Sequence, residues 1–258
     1  MYENILQRDF LPVLSTLKLG NPYSPPLIFL HGFLGSSIDF LPMMEMLSAD
    51  FYCVSIDLPG HGLSLLPASL SFTSVMRSIL TTLKRLKITQ RVFVGYSLGG
   101  RLALMLHTSR LCEKSIILSA HPGLLPHERT SYLLQQKKWL SLLQNDPQNF
   151  LSLWYSQPLF KTLHANSMAE KRSSTNLQNM SKVISSLSLL HQRPLWKDLE
   201  NIQPSPLFLC GEHDEKYKTL YKKLTNHCAQ EIISGASHAI HLENPSECST
   251  KIQTFLFC

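Results

Sequence analysis

Short apolar runs bounded by turn-forming residues recur along the chain: PLIFLHG at 26–32, YCVSIDLPG at 52–60, RVFVGYS at 91–97, KSIILSA at 114–120 and PLFLCGE at 206–212. Each holds four to six Val, Ile, Leu or Phe-rich positions without polar alternation, the pattern of strands buried on both faces of a parallel sheet. Between them lie segments of helical period, TSVMRSILTTLKRLK at 73–87 and GGRLALMLHTS at 99–109, and this alternation predicts an α/β fold. VLSTLKLG at 13–20 reads as a weaker, antiparallel edge strand. QEIIS at 230–234 reads as a last strand ahead of a final helix.

From 121 to 200 the rhythm changes. SYLLQQKKWLSLLQ, PQNFLSLWYSQPLF and LQNMSKVISSLSLL are amphipathic helical patterns, and no strand pattern interrupts them. The expected organisation is therefore an α/β core from residues 1–120 and 201–258. Residues 121–200 are inserted as a helical cap above the carboxyl edge of a mostly parallel sheet flanked by helices.

Composition narrows the class. With 44% hydrophobic and 16% charged residues, the 258-residue chain is that of an ordinary globular protein with an ample core. No apolar run reaches the ~18–20 residues that span a bilayer, and MYENILQRDF has no apolar block of a signal peptide. Six scattered cysteines (Cys53, Cys112, Cys210, Cys228, Cys248, Cys258) show neither C-x-x-C nor zinc spacing. The expectation is a reduced cytoplasmic protein with no metal and no cofactor. The net charge of +6 comes mostly from residues 121–200, where nine Lys or Arg face five Asp or Glu. No basic cluster interleaved with aromatics suggests nucleic acid. A small anionic ligand or a merely solvated basic surface would each account for the charge.

Candidate chemistry sits at the ends of the strand runs. VGYSLGGRLAL at 94–104 places Ser97 in a G-x-S-x-G frame between a strand and a helix, the context of a nucleophile elbow. The sharp turn tolerates little bulk, hence Gly95 and Gly99. His238, in the loop after the last strand, stands where the base belongs in the chain order Ser, acid, His. His241 is its rival, three residues on and expected inside the following helix. Asp214, four residues beyond PLFLC, is the acid that would fix the imidazole. Glu212 and Glu215 flank it as substitutes for that role, with surface charge the plainer reading. Asp57 in DLPGHG also ends a strand but precedes Ser97 and reads as a turn former. HGFLGSS at 31–37 follows another strand. There the backbone N–H of Phe33 pairs with that of Leu98 as an expected oxyanion hole, and His31 reads as a hydrogen-bonded structural histidine.

With Ser97, Asp214 and His238 in this order, the whole chain resembles the α/β-hydrolase superfamily. GYSLGGR, HPGL, WYSQPLF, LCGEHDEKY and SHAIHLENP are similar, more closely, to the 2-succinyl-6-hydroxy-2,4-cyclohexadiene-1-carboxylate synthase family of menaquinone biosynthesis. That resemblance implies a lyase. It would eliminate pyruvate from 2-succinyl-5-enolpyruvyl-6-hydroxy-3-cyclohexene-1-carboxylate, a small polycarboxylate, with the triad generating a base that removes a proton. It also implies substrate-binding roles for Arg101, Arg172, Tyr96 and Trp154, and for Arg129 with its register open. A forked guanidinium binds carboxylate bidentately, which would explain a cation one turn beyond Ser97 against the helix dipole. A solvent-facing arginine is the plain alternative for Arg101, and core packing for Trp154. Ser237 departs from the glycine that many relatives place before the histidine. The competing activity is a serine carboxylesterase or thioesterase working through an acyl-enzyme.

Overall fold

The computed structural model describes residues 12–224 and 228–257. Cys258 and MYENILQRDF therefore lie outside the described residues. Seven strands form one sheet in the order β1-β3-β2-β4-β5-β6-β7. They are β1 (Thr16–Leu19), β2 (Pro26–Leu30), β3 (Tyr52–Ile56), β4 (Val92–Tyr96), β5 (Lys114–Leu118), β6 (Leu207–Gly211) and β7 (Ala229–Ile233). Only β1 runs antiparallel, at the edge against β3, and every other pairing is parallel.

The continuous apolar runs follow from this burial. Leu27, Phe29, Val94 and Leu118 point to one face, and Ile28, Leu30, Phe93 and Ile117 to the other, because side chains alternate along a strand. The first face packs against helices α1 (Leu41–Leu47), α10 (Ile240–Glu243) and α11 (Pro245–Phe257), through Met43, Met44, Ile240, Cys248 and Ile252. The second packs against α2 (Phe72–Arg85), α3 (Leu98–Thr108) and α9 (Glu215–Tyr221).

Between β5 and β6 the chain forms α4 (Arg129–Asn145), α5 (Pro147–Tyr155), α6 (Ala165–Lys171), α7 (Leu177–Ser186) and the short α8 (Trp196–Leu199), with no strand among them. Two limits depart from the sequence periodicity. The pattern 147–160 breaks after Tyr155 into a separate turn at Pro158–Phe160, because Pro158 cannot continue a helix. The pattern 177–190 ends at Ser186. Helix α6, absent from the expected elements, carries Arg172 at its C-terminal cap. The five described cysteines are free thiols, and no described helix is long and apolar enough to cross a membrane.

Candidate active site

Strand β4 delivers Ser97 at its carboxyl end, and α3 starts at the next residue. Ser97 has φ 48° and ψ −106°, a conformation that costs a non-glycine residue on the order of 1–3 kcal/mol and persists only where the surroundings enforce it. Here they do. The Ser97 N–H donates to Leu118 O on β5 at 2.9 Å. A Cβ at Gly99 would collide with the Leu30 carbonyl, and one at Gly95 with the Gly99 carbonyl. The elbow thus folds hard against itself and against β2. Its hydroxyl makes no capping bond to the helix it precedes, and Ser97 lines the pocket.

Asp214 follows β6 and caps α9, accepting the Tyr217 N–H at 3.2 Å through Oδ1. Its Oδ2 lies 2.8 Å from His238 Nδ1. An ionised carboxylate can only accept, so Nδ1 carries the proton and Nε2 is left as a base. The imidazole is buried and walled by Tyr96, Phe160 and Tyr217, with ring centroids 5.3, 5.6 and 4.8 Å away. Ser97 and His238 line one pocket together.

The loop after β2 brings Phe33 to the same pocket. His31 holds this loop: Nδ1 donates to Gly32 O at 2.8 Å, and Nε2 accepts the Leu58 N–H at 2.9 Å. That bond pattern is a neutral imidazole, and burial pushes its pKa down. Asp57 accepts from Ser37 N and Leu63 N at 2.6 and 3.0 Å, as a turn former should. Asp39 accepts the Ser36 N–H at 3.1 Å. Leu98 opens α3, so its N–H is among the donors a helix leaves unbonded.

Arg101 stands one turn into α3 on the pocket wall and is only 9% exposed. Its Nε donates to Gln192 Oε1 at 2.7 Å and Nη2 to Leu187 O at 2.5 Å, while the guanidinium carbon sits 4.9 Å above the Phe72 ring. Burial pulls its pKa down, and no carboxylate pairs with it among the described residues. Lys216, on α9 two residues past Asp214, lines the same pocket, as do Tyr96 and Trp154. No Asp or Glu belongs to that lining among the described residues. The wall presents two cations and no anion.

The pattern of the alpha/beta hydrolase family matches residues 27–250. The chain is 33% identical over 238 residues to the 2-succinyl-6-hydroxy-2,4-cyclohexadiene-1-carboxylate synthases of Salmonella newport (strain SL254) and Salmonella typhimurium (strain LT2), covering 88% of this chain and 92% of each relative. This chain belongs to that synthase family of alpha/beta hydrolases. The structure of MenH from S. aureus superposes with a TM-score of 0.85 at 26% identity, over 95% of this chain and 98% of that one. The enol-lactonase from Burkholderia xenovorans LB400 shares the fold, with a TM-score of 0.77 at 17% identity over 95% and 96% of the two chains.

Within this alpha/beta hydrolase, the residues expected from sequence divide into two groups. Ser97, His238, Phe33, Leu98, Tyr96, Trp154 and Arg101 converge on the pocket, and Asp214 stands behind His238. Arg101 is not the solvent-facing residue of the plain alternative. Arg172 and Arg129 do not converge. Arg172 is buried and gives its fork to Asp39, Nη1 to Oδ1 at 2.9 Å and Nη2 to Oδ2 at 2.7 Å, with Nε 3.3 Å from the Tyr155 hydroxyl. The Asp39 carboxylate therefore occupies the end of the guanidinium fork, and Arg172 is not among the residues that line the pocket. Arg129 is exposed, donates to Leu190 O at 2.9 Å and is not among the residues that line the pocket.

His241 is no rival base. It lies in α10, stacked 4.2 Å from Tyr96 and 4.9 Å from Phe40, and burial lowers its pKa to about 3. Glu215 pairs with Lys218 at 3.0 Å on the surface. Glu212 accepts the Gly235 N–H at 2.9 Å. Lys216 escaped sequence reasoning although a signal existed: it is the second residue of a helix whose cap, Asp214, already points into the site.

Proposed function

We propose that this chain eliminates pyruvate from 2-succinyl-5-enolpyruvyl-6-hydroxy-3-cyclohexene-1-carboxylate, giving 2-succinyl-6-hydroxy-2,4-cyclohexadiene-1-carboxylate for menaquinone synthesis in the cytoplasm. Ser97, His238 and Asp214 form the triad, the Phe33 and Leu98 N–H groups the oxyanion hole, and residues 121–200 a cap over the site. The observation that carries this reading is a Ser-His-Asp constellation opening on a pocket with Arg101 and Lys216 and no acid. An uncharged ester would leave two partly desolvated cations without a counter-charge, whereas a polycarboxylate supplies one.

The chemistry follows from the positions. His238 Nε2 takes the Ser97 proton, and the resulting alkoxide removes the ring proton next to the succinyl ketone. The electrons move to the ketone oxygen, where two N–H donors stabilise the charge. Collapse of that enolate shifts the ring double bond and breaks the bond to the enolpyruvyl oxygen. Enolpyruvate leaves, takes up a proton and becomes pyruvate. No acyl-enzyme forms. Tyr96 and Trp154 shape the apolar wall, and Arg101 and Lys216 orient the carboxylates.

The test is release of pyruvate by purified protein from the enolpyruvyl substrate, followed by NADH oxidation with lactate dehydrogenase. Substrate-dependent release supports the lyase. Absence of release, together with a burst and rapid turnover of uncharged aryl esters, would establish the esterase reading instead.

A further inference from the structure

Three successive backbone N–H groups, those of Ser237, His238 and Ala239, present the imidazole, and each has a specific acceptor. The Ser237 N–H donates to Glu243 Oε2 at 2.8 Å and the Ala239 N–H to Glu243 Oε1 at 2.9 Å. The His238 N–H between them donates to Leu159 O at 3.2 Å. One carboxylate therefore straddles His238 from the core, and the segment 121–200 holds it from the other side.

Hydroxyls complete the clasp. Ser237 Oγ donates to the Glu243 carboxylate, 3.0 and 3.1 Å from its two oxygens. Thr162 Oγ1 lies 2.6 Å from Ser237 Oγ and also bonds Glu243. Ser237 is fully buried and no cation pairs with Glu243 among the described residues, so the carboxylate's role is that of an acceptor for the His238 loop. Phe160, between Leu159 and Thr162, packs against the imidazole. The Ser237 hydroxyl thus joins Thr162 to this loop beside the direct bond from Thr162 to Glu243.

We propose that Glu243 is a positioning residue for His238, and that Thr162 and Leu159 extend its hold into the segment that covers the pocket. The proposal rests on His238 being the base that activates Ser97. Asp214 fixes which tautomer the imidazole adopts and where it turns. Glu243 fixes where its backbone stands. Reacting groups tolerate little displacement, since a shift of about 1 Å costs on the order of 10²-fold in rate.

The experiment compares wild type with Glu243→Ala, Glu243→Gln, Thr162→Val and Ser237→Gly in two assays. One is pyruvate release from the enolpyruvyl substrate. The other is the labelling rate of Ser97 by a fluorophosphonate, in which a Ser97 Oγ–P bond forms, fluoride leaves and the serine proton passes to His238. Glu243→Ala should lose on the order of 10²-fold in kcat and in labelling rate, with KM little changed. Glu243→Gln should fall between, because its amide keeps one acceptor oxygen and turns an N–H toward a backbone N–H. Thr162→Val and Ser237→Gly should give smaller losses of the same kind. Should Glu243→Ala not fold, Thr162→Val carries the test, since it deletes one hydroxyl of the clasp. Wild-type labelling rates in Thr162→Val and in any soluble Glu243 variant would overturn the proposal. A wild-type protein that is labelled but releases no pyruvate, with slow labelling in Glu243→Ala, would refute the lyase reading and support this one. Wild-type protein that does neither would overturn both.

Discussion

Asp39 and Arg172 form a buried ion pair apart from Ser97, Asp214 and His238, and their pairing yields a prediction with a number. Asp39 is 2% exposed and Arg172 6%, and the two join bidentately across the boundary between the loop after β2 and the C-terminus of α6. Burial alone would raise the Asp39 pKa, but the Arg172 charge and its hydrogen bonds outweigh that and leave it lowered. Asp39→Asn strands Arg172 as an unpaired buried charge, which costs ~3–5 kcal/mol, whereas Arg172→Met leaves Asp39 only the half-exposed Lys171, whose Nζ lies 3.6 Å from Oδ1. Asp39→Asn should lose about that much, and Arg172→Met somewhat less. The double variant should recover part of it, because no lone charge remains buried. For a chain of this size each kcal/mol moves Tm by ~2–4 °C, so thermal unfolding resolves the cycle easily. Kinetics on the enolpyruvyl substrate separate the latch from the substrate clamp. A latch makes the Asp39 and Arg172 variants fail alike. A clamp predicts that Asp39→Asn frees Arg172 and tightens substrate binding while Arg172→Met weakens it. Single-variant losses below about 1 kcal/mol, in the range of exposed pairs, would refute the reasoning. The sign with pH is also set: a lowered carboxylate contributes stability above its unfolded value of ~3.9, lost as pH falls through the folded value.

Further outcomes follow from the same site. Ser97→Ala and His238→Ala should each reduce kcat by several orders of magnitude, with the double variant little worse, since the residues act as a unit; additive losses in steady-state kinetics would dissolve that unit. Arg101→Ala and Lys216→Met should each weaken kcat/KM by ~2–5 kcal/mol, as expected for truncating a desolvated charge partner. Arg101→Lys should recover part of that loss because it keeps the charge without the planar fork, and uncharged ester turnover should be unaffected. Arg101→Ala should in addition lower Tm, because it empties the bonds to Gln192 and Leu187. His61 and His241 have folded pKa values pushed down to about 3 by burial. The unfolded chain then binds more protons, and stability present above ~6.5 is lost as pH falls toward 3. Urea titrations of His241→Phe between those limits should show a shallower acid limb, and an unchanged limb would place the proton sink elsewhere.

Most of the scaffold was legible because its signals are local. Strand runs such as RVFV and PLFLC carry their burial in consecutive residues, and the Gly95–Ser97–Gly99 frame carries its turn. The chain order Ser, acid, His selected His238 among eleven histidines. The structure supplied the reason His241 fails, since α10 turns its ring away between Tyr96 and Phe40. Helix α6 was missed because its seven residues, ANSMAEK, bury only Met168 and leave no amphipathic stripe to detect.

The arginines show where residue type stops being informative. Arg101 and Arg172 are both buried near the site, and a guanidinium serves a substrate carboxylate or a protein carboxylate equally well. What separates them is whether an acid of the chain arrives first. Asp39 does arrive, from SSIDFLPMMEML, where a lone acid precedes a run that packs as core. A buried acid needs a cation, so such a residue announces a partner without naming it. No acid reaches Arg101 among the described residues, and its bonds are to an amide and a carbonyl, which leave its full charge uncompensated. The same reasoning singles out Lys216, close to Asp214 yet without a salt bridge among the described residues. Both cations of the pocket wall therefore stand on α3 and α9, helices of the core. Arg172, in turn, ties the C-terminus of α6 to the loop after β2, which carries Phe33. Charge between residues 121 and 200 therefore holds that loop through Asp39, and exchanging Arg172 for lysine should loosen it before it alters which substrate is chosen.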